Sequence, residues 1–445
     1  MSTLYFLFFA LLGLLAFARI GGRMDRMYRS PIYAFVLAMA FIYGFMPWVK
    51  EIFGIQTYPF PYGFDAKLGA LVDSAIYTLM GVIGYCACGG LRHPQLPEVR
   101  SLTGREQLRA LLILGVPSFF AVLYLAKTIS GYDLASYMKD RIVLRRGMGP
   151  AVILAFTAIC YGAVLVTDHF TQKREGRSPS ALRLLAIMGA VLALAVAFVA
   201  MGNRNFVFIL IAIVLLALLS IYAGRFSRIV LLFPALLGIA IGFSLWAKVR
   251  TTLDSSSAGT VTAVASEGAL PLLVYGFNGA FGNAENMVWL AANDRRWDLL
   301  YGKTLYAALV NPIPRSLWPD KPFGGGPELR NMIYPGSYTL DGENLTSYTT
   351  GLPTEAYMNF GLLGIFLFGA FNGACLAWAR NFYARQKSVT PLGVVMYSYS
   401  IFMFAFGFLY MELLGGWSRY LITMILLSGV AWLGDRRFRT SRSLA

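Results

Sequence analysis

The stretch LLAIMGAVLALAVAFVAMGNRNFVFILIAIVLLALLSIY, residues 184–222, decides the fold. It reads as two apolar runs, near 183–201 and 206–223, separated only by the turn Gly202-Asn203-Arg204-Asn205. About 20 predominantly apolar residues in a helix cross a hydrocarbon core of about 30 Å. Each run therefore predicts a membrane-spanning helix, too long for the alternating ten-residue strands of a membrane barrel.

Working outward, the whole chain has the same character. Of its 445 residues, 57% are hydrophobic and 13% charged, with a mean hydropathy of +0.61. A soluble protein carries about 25% charged residues, so a soluble enzyme, a disordered regulator and a fibrous protein are excluded. Hydropathy windows predict eleven spans, near 3–18, 31–48, 68–90, 108–127, 150–168, 183–201, 206–223, 229–247, 356–379, 391–412 and 419–434. The expected architecture is an all-α polytopic membrane protein of about 11 transmembrane helices. Residues 1–247 carry spans one to eight, 248–355 form one large external loop with short helices, and 356–445 carry the last three spans and a tail. No internal repeat is visible. The four cysteines, Cys86, Cys88, Cys160 and Cys375, lie in or beside apolar runs and imply no disulfide framework.

Charge predicts orientation. Of 38 Lys and Arg residues, 21 fall in one alternate set of connections, which includes Arg19/23/26/29, Arg92/100/105/109, Lys173 with Arg174/177/183, and Arg380/385 with Lys387. Basic residues in short loops mark the cytoplasmic side, so the 248–355 loop is expected outside and the C-terminus inside. The first run lacks a basic segment before it, and arginines follow it instead. It reads as a span entered from outside rather than as a cleaved signal. Residues 268–291 are apolar enough for a re-entrant or interfacial helix, but Asn278, Asn283, Glu285 and Asn286 make a poor lipid-facing span.

The outer face also carries basic residues that orientation does not explain. Arg204 sits in the tight turn between spans six and seven. Its side chain either snorkels to headgroups or presents a planar fork to a phosphate. Lys248 and Arg250 end span eight, and Arg141, Arg145 and Arg146 crowd the loop after span four. These bind either headgroups or an anionic ligand. In Asn311-Pro312-Ile313-Pro314-Arg315-Ser316-Leu317-Trp318-Pro319-Asp320-Lys321-Pro322, four prolines exclude a continuous helix and present Arg315 and Lys321 on a stiff path. Arg330 follows Phe323-Gly324-Gly325-Gly326, a run whose flexibility suits a moving flap. Thr354 is expected to cap the ninth spanning helix with Glu355 in its first turn. Glu355 is there either for the helix dipole or as a carboxylate able to take a proton from a hydroxyl. Glu412 and Arg419 bracket the turn before the last span, where a structural pair is the plainer reading. Two histidines, His93 and His169, both at expected cytoplasmic ends, predict no metal site.

These residues, in this order, resemble the bacterial O-antigen or oligosaccharide repeat-unit polymerases of Wzy type. The resemblance rests on the Gly-x-Arg turn at 202–204, on Trp246-Ala247-Lys248-Val249-Arg250, and most specifically on Ile313 to Pro322. Thr354-Glu355 with Asn359-Phe360-Gly361 and Gly364, and Glu412 with Ser418-Arg419, extend it, so that it covers about residues 120–435. It implies a membrane-embedded glycosyltransferase of the GT-C fold in the bacterial inner membrane. Such an enzyme moves a glycan from undecaprenyl diphosphate onto the next lipid-linked repeat unit at the periplasmic face, without metal or other cofactor. By this resemblance Glu355, Arg204 and Arg250 would be catalytic. Arg145, Arg146, Lys248, Arg315, Lys321, Arg330, Tyr348 and Arg419 would bind substrate, and partners would be the lipid-linked glycans, the bilayer and a polysaccharide chain-length regulator, with no nucleic acid. Three other readings stay open: an O-antigen ligase, which would need an outer histidine; a lipid-linked oligosaccharide flippase; and a purely structural or receptor protein.

Overall fold

The structure, a computed structural model, describes residues 2–20, 25–54, 62–90, 95–131, 148–200, 204–222, 281–313, 315, 317–339 and 348–442. The described chain is mostly helical. Its longer helices are α1 (Ser2–Ile20), α2 (Ile32–Ile52), α3 (Phe64–Ala87), α4 (Gly104–Thr128), α5 (Gly149–Arg174), α6 (Ala181–Ala200) and α7 (Arg204–Ile221). After these come three short helices, α8 (Ala284–Ala292), α9 (Lys303–Val310) and α10 (Gly325–Ile333). Three long ones follow: α11 (Gly351–Ala384), α12 (Pro391–Tyr410) and α13 (Leu413–Arg442). Among the described residues, eight helices are long and apolar enough to cross a membrane, and two shorter apolar helices lie at Leu7–Ala16 and Asn205–Ile221. The chain is thus a multi-pass, helical membrane protein. Helices occupy the predicted span positions except 229–247, which lies outside the described residues.

The spans fall into two compact units, one of residues 1–93, 226–380 and 403–417, the other of 94–225, 381–402 and 418–445. In the first, α3 and α11 approach through glycines. A Cβ at Gly373 would overlap the Gly81 carbonyl, and one at Gly84 the Ala370 carbonyl. Small residues let backbones meet where lipid offers no hydrophobic drive to pack. At one end of this unit Arg380, almost fully buried, donates to the carbonyls of Arg29 (3.0 Å) and Gly89 (3.1 Å). Three connections of one predicted charge set therefore meet there.

In the second unit, β1 (Glu98–Val99) pairs in parallel with β2 (Ser388–Val389), and Ser101 donates its N–H and Oγ–H to Glu175, each at 2.7 Å. Three connections of that same charge set meet here too. The buried Asp168 anchors this end, accepting from Leu102 N, Gln107, Gln172 and Arg183 at 2.8–3.0 Å.

Helix α11 starts earlier than expected. Gly351 (φ 72°) turns the chain into it and stands where a Cβ would strike the Leu409 carbonyl. Thr354 is therefore inside the helix rather than its cap, and Glu355 lies beyond the first turn. Gly361 (φ 60°, ψ −143°) breaks the helix into 351–360 and 362–384, a backbone geometry that only glycine adopts freely. The nine-residue α8 is too short to span, so the described part of 268–291 is not a transmembrane helix.

Candidate functional site

Glu355 is fully buried in the first unit. Its Oε1 accepts from the Thr350 hydroxyl at 2.8 Å and from the Leu413 N–H at 2.7 Å. Leu413 opens α13, and the first N–H groups of a helix have no partner within it. A carboxylate from α11 thus caps α13 across 58 residues of sequence. Glu412 does the same for α10, its Oε1 accepting the Gly326 N–H at 3.3 Å. The Thr304 hydroxyl also interacts with the Glu355 carboxylate, and Gly325 covers its Oε2.

The glycine run is the lid of this pair and is packed against it. Gly324, Gly325 and Gly326 are buried and start α10. A Cβ on Gly324 would overlap Glu412 Oε1, and one on Gly325 would lie 2.5 Å from the Glu355 carboxyl carbon. Glycine is required by this close approach of backbone to carboxylate. The run expected to be flexible is here packed against both carboxylates.

Polar residues around the pair satisfy backbone left open by the helix breaks. α12 carries a π-helical turn at Met403–Gly407 and ends at Tyr410. Asn283 donates to the Leu409 (3.2 Å) and Tyr410 (2.8 Å) carbonyls and accepts from Thr349 at 2.9 Å, while Asn286 donates to the Thr349 carbonyl. Asn359 bridges the Thr304 hydroxyl (2.7 Å) and the Gly302 N–H (2.9 Å). Lys50 at the end of α2 forms an ion pair with Glu285 of α8. Sequence reading missed these asparagines as site residues. The signal was present, because Asn283, Glu285 and Asn286 stood out in an apolar run.

Arg315 and Lys321 hold their own loop. Arg315 donates to the carbonyls of Pro319 (2.9 Å), Lys321 (2.8 Å) and Pro322 (3.4 Å), with its guanidinium 5.2 Å from the Phe323 ring centre. The buried Lys321 ammonium donates to the carbonyls of Asn311 (3.1 Å) and Ile313 (2.8 Å). Loss of solvent, with Arg315 nearby, holds it below the ordinary lysine range. Arg330 donates to Ser337, and Tyr348 packs against the cluster of Trp289, Leu290, Leu329, Ile333 and Met358.

Arg419 belongs to the second unit, its guanidinium 5.9 Å from the Phe156 ring centre and 5.3 Å from that of Phe206. Phe206 is two residues past Arg204, the first residue of α7, so the structure brings the start of α7 to Arg419. Arg145, Arg146, Lys248 and Arg250 lie outside the described residues, as does the Arg204 side chain. The first unit therefore collects Glu355, Arg315, Lys321, Arg330 and Tyr348, and the second holds Arg204 and Arg419.

Beside the carboxylates, the first unit has an apolar cleft of about 160 Å³, with Leu352, Leu413, Phe371, Phe404, Phe408 and Trp417 among its walls. Leu352 is one helical turn before Glu355, and Leu413 supplies the N–H that Glu355 accepts. Leu352 and Leu413 thus link a buried carboxylate to an apolar, aromatic-lined cleft. Comparison with models of known families, with curated proteins and with solved structures finds no match to this chain.

Proposed function

We propose that the chain is a membrane-embedded glycosyltransferase that joins oligosaccharide repeat units carried on undecaprenyl diphosphate. In this reading it has eleven spans in the GT-C arrangement and works at the periplasmic face of the bacterial inner membrane. The observation that carries the proposal is the buried Glu355 carboxylate, whose neighbours Leu352 and Leu413 also line an apolar, aromatic-walled cleft. A polyprenyl chain would lie in the cleft, with its diphosphate-linked sugar at the carboxylate.

In the reaction, an acceptor hydroxyl oxygen attacks the anomeric carbon of the growing glycan. The carbon–oxygen bond to diphosphate breaks, and undecaprenyl diphosphate leaves with the electron pair. Glu355 takes the hydroxyl proton through Oε2. Since Gly325 covers that carboxylate, the Gly324–Gly326 turn must withdraw to admit the hydroxyl. Arg204, Arg250, Lys248, Arg145 and Arg146 stabilise the charge growing on the leaving diphosphate. Arg315 and Lys321 shape the proline-rich loop, and Arg330, Tyr348 and Arg419 complete the glycan path. A chain-length regulator would act from outside this core.

The test is reconstitution of the purified protein with its lipid-linked repeat unit, in chelator and without other enzymes. A ladder of longer lipid-linked glycans supports a polymerase. No ladder, but transfer once lipid A core is added, would make the protein a ligase.

A further inference from the structure

The segment from Tyr301 to Leu317 lies in what the sequence presents as an external loop, yet past Lys303, whose ammonium pairs with Glu328, its outward side is apolar. In α9, Thr304, Ala307 and Ala308 face inward and are buried, while Tyr306 and Leu309 are 51% and 66% exposed. Ile313 (40%) and Leu317 (78%) continue that exposed side beyond the helix. A contiguous apolar surface on a soluble loop marks a contact with something else.

We propose that this segment lies in the plane of the membrane, with Leu309, Ile313 and Leu317 embedded among lipid chains and Tyr306 at the headgroup boundary. Three observations select lipid as the partner. The first is continuity with the lipid-facing surface of a span. Leu305, Ala308 and Leu309 wall the same cleft as Phe371 of α11. Phe371 is about 15 Å along the helix from the break at Gly361. The outward face of that helix, Leu362, Leu363, Phe366, Leu367 and Phe371, is itself exposed.

The second observation is the treatment of the loop backbone. Hydrocarbon tolerates no unsatisfied peptide groups. Pro312, Pro319 and Pro322 have no N–H to satisfy. The Lys321 ammonium covers the carbonyls of Asn311 and Ile313, and Arg315 covers those of Pro319, Lys321 and Pro322. Such covering suits a loop that rests against hydrocarbon.

The third is the polar boundary. Trp318 meets Tyr306 with ring centres 6.1 Å apart, and stands three residues in sequence from each of Arg315 and Lys321. Amphipathic aromatics and cations together are the residues of the headgroup level. The inference is independent of the proposed activity, because it concerns where the loop rests and not what it does.

The experiment places a fluorophore at Leu309→Cys, Leu317→Cys and, as a water-facing control, Arg295→Cys, in full-length protein whose four native cysteines are replaced by serine. The protein is studied in nanodiscs with chain-labelled doxyl-phosphatidylcholine, and with iodide in the buffer. Quenching by the doxyl lipid at 309 and 317 should exceed that at 295 at least several-fold, with iodide giving the reverse order. Iodide quenching at 309 and 317 equal to the control overturns the proposal. Protection from both quenchers does so too, since it would mean a protein covers the surface. Should the variants fail to fold, wild-type protein in nanodiscs containing an acyl-chain diazirine lipid gives the same answer. Adducts are expected on 306–317 as well as on 362–371, and adducts on 362–371 alone refute the idea.

Discussion

The Glu355 carboxylate accepts the Leu413 N–H at 2.7 Å, so one buried side chain in α11 caps the first turn of α13. The same oxygen takes the Thr350 hydroxyl. In the proposed reaction the structural role falls on Oε1 and the proton on Oε2, so the two are separable by mutation.

Glu355→Gln keeps an oxygen acceptor for Thr350 and Leu413 but takes no proton. Protein level and melting temperature should stay near wild type while polymer formation falls by about 10²-fold or more. Wild-type ladders from this variant would remove Glu355 from the reaction. Glu355→Ala should in addition cost about 1–3 kcal/mol, read as a lower melting temperature, because buried donors lose their acceptor.

Gly325→Ala places a Cβ against the Glu355 carboxyl carbon and should destabilise by about 1–3 kcal/mol through overpacking. Gly63→Ala, where nothing lies within 4 Å of the new atom, is the control. Equal melting temperatures for the two would disprove the packed lid.

In the second unit, Arg183→Ala removes the charge partner of Asp168, whose side chain is 1% exposed. Breaking a fully buried pair costs about 3–5 kcal/mol. Arg183 is itself 31% exposed, so solvent screening lowers the expected loss to about 2 kcal/mol. Thermal unfolding in detergent checks it.

Glu175 gives a pH dependence. Burial alone would raise its carboxyl, but the Ser101 hydroxyl and N–H, with Arg177 and Arg100, outweigh that and hold it below the ordinary glutamate range. The folded value is thus below the unfolded one, so the bond stabilises above the unfolded value and is lost as pH falls through the folded one. The melting-temperature gap between wild type and Glu175→Gln should be widest near pH 7 and narrow steadily below about pH 4. A gap that does not vary with pH would show that the clamp is not the source.

Arg204→Ala tests the diphosphate role at the start of α7. Shortened or absent polymer at normal protein level is expected, and wild-type chain lengths would exclude it.

The sequence by itself determined the helical membrane class and the places of the long apolar helices among the described residues, since about 20 apolar residues in a row have few other stable states. It also marked Glu355, the glycine run and the proline-rich segment as unusual, because residue type alone makes them so. Only the tertiary structure decided what these residues do. Gly324–Gly326 reads as flexible until two carboxylates from distant helix ends are packed against it. Arg315 and Lys321 read as anion ligands until their donors are seen folded onto neighbouring carbonyls. Thr354 and Glu355 read as a cap and first turn until Gly351 starts α11 earlier. In each case the partner is dozens of residues away or is a main-chain carbonyl, and neither leaves a mark in the order of side chains. Periodicity and hydropathy report the environment along one helix, whereas the pairing of Glu355 with Leu413 depends on where two helices begin in space.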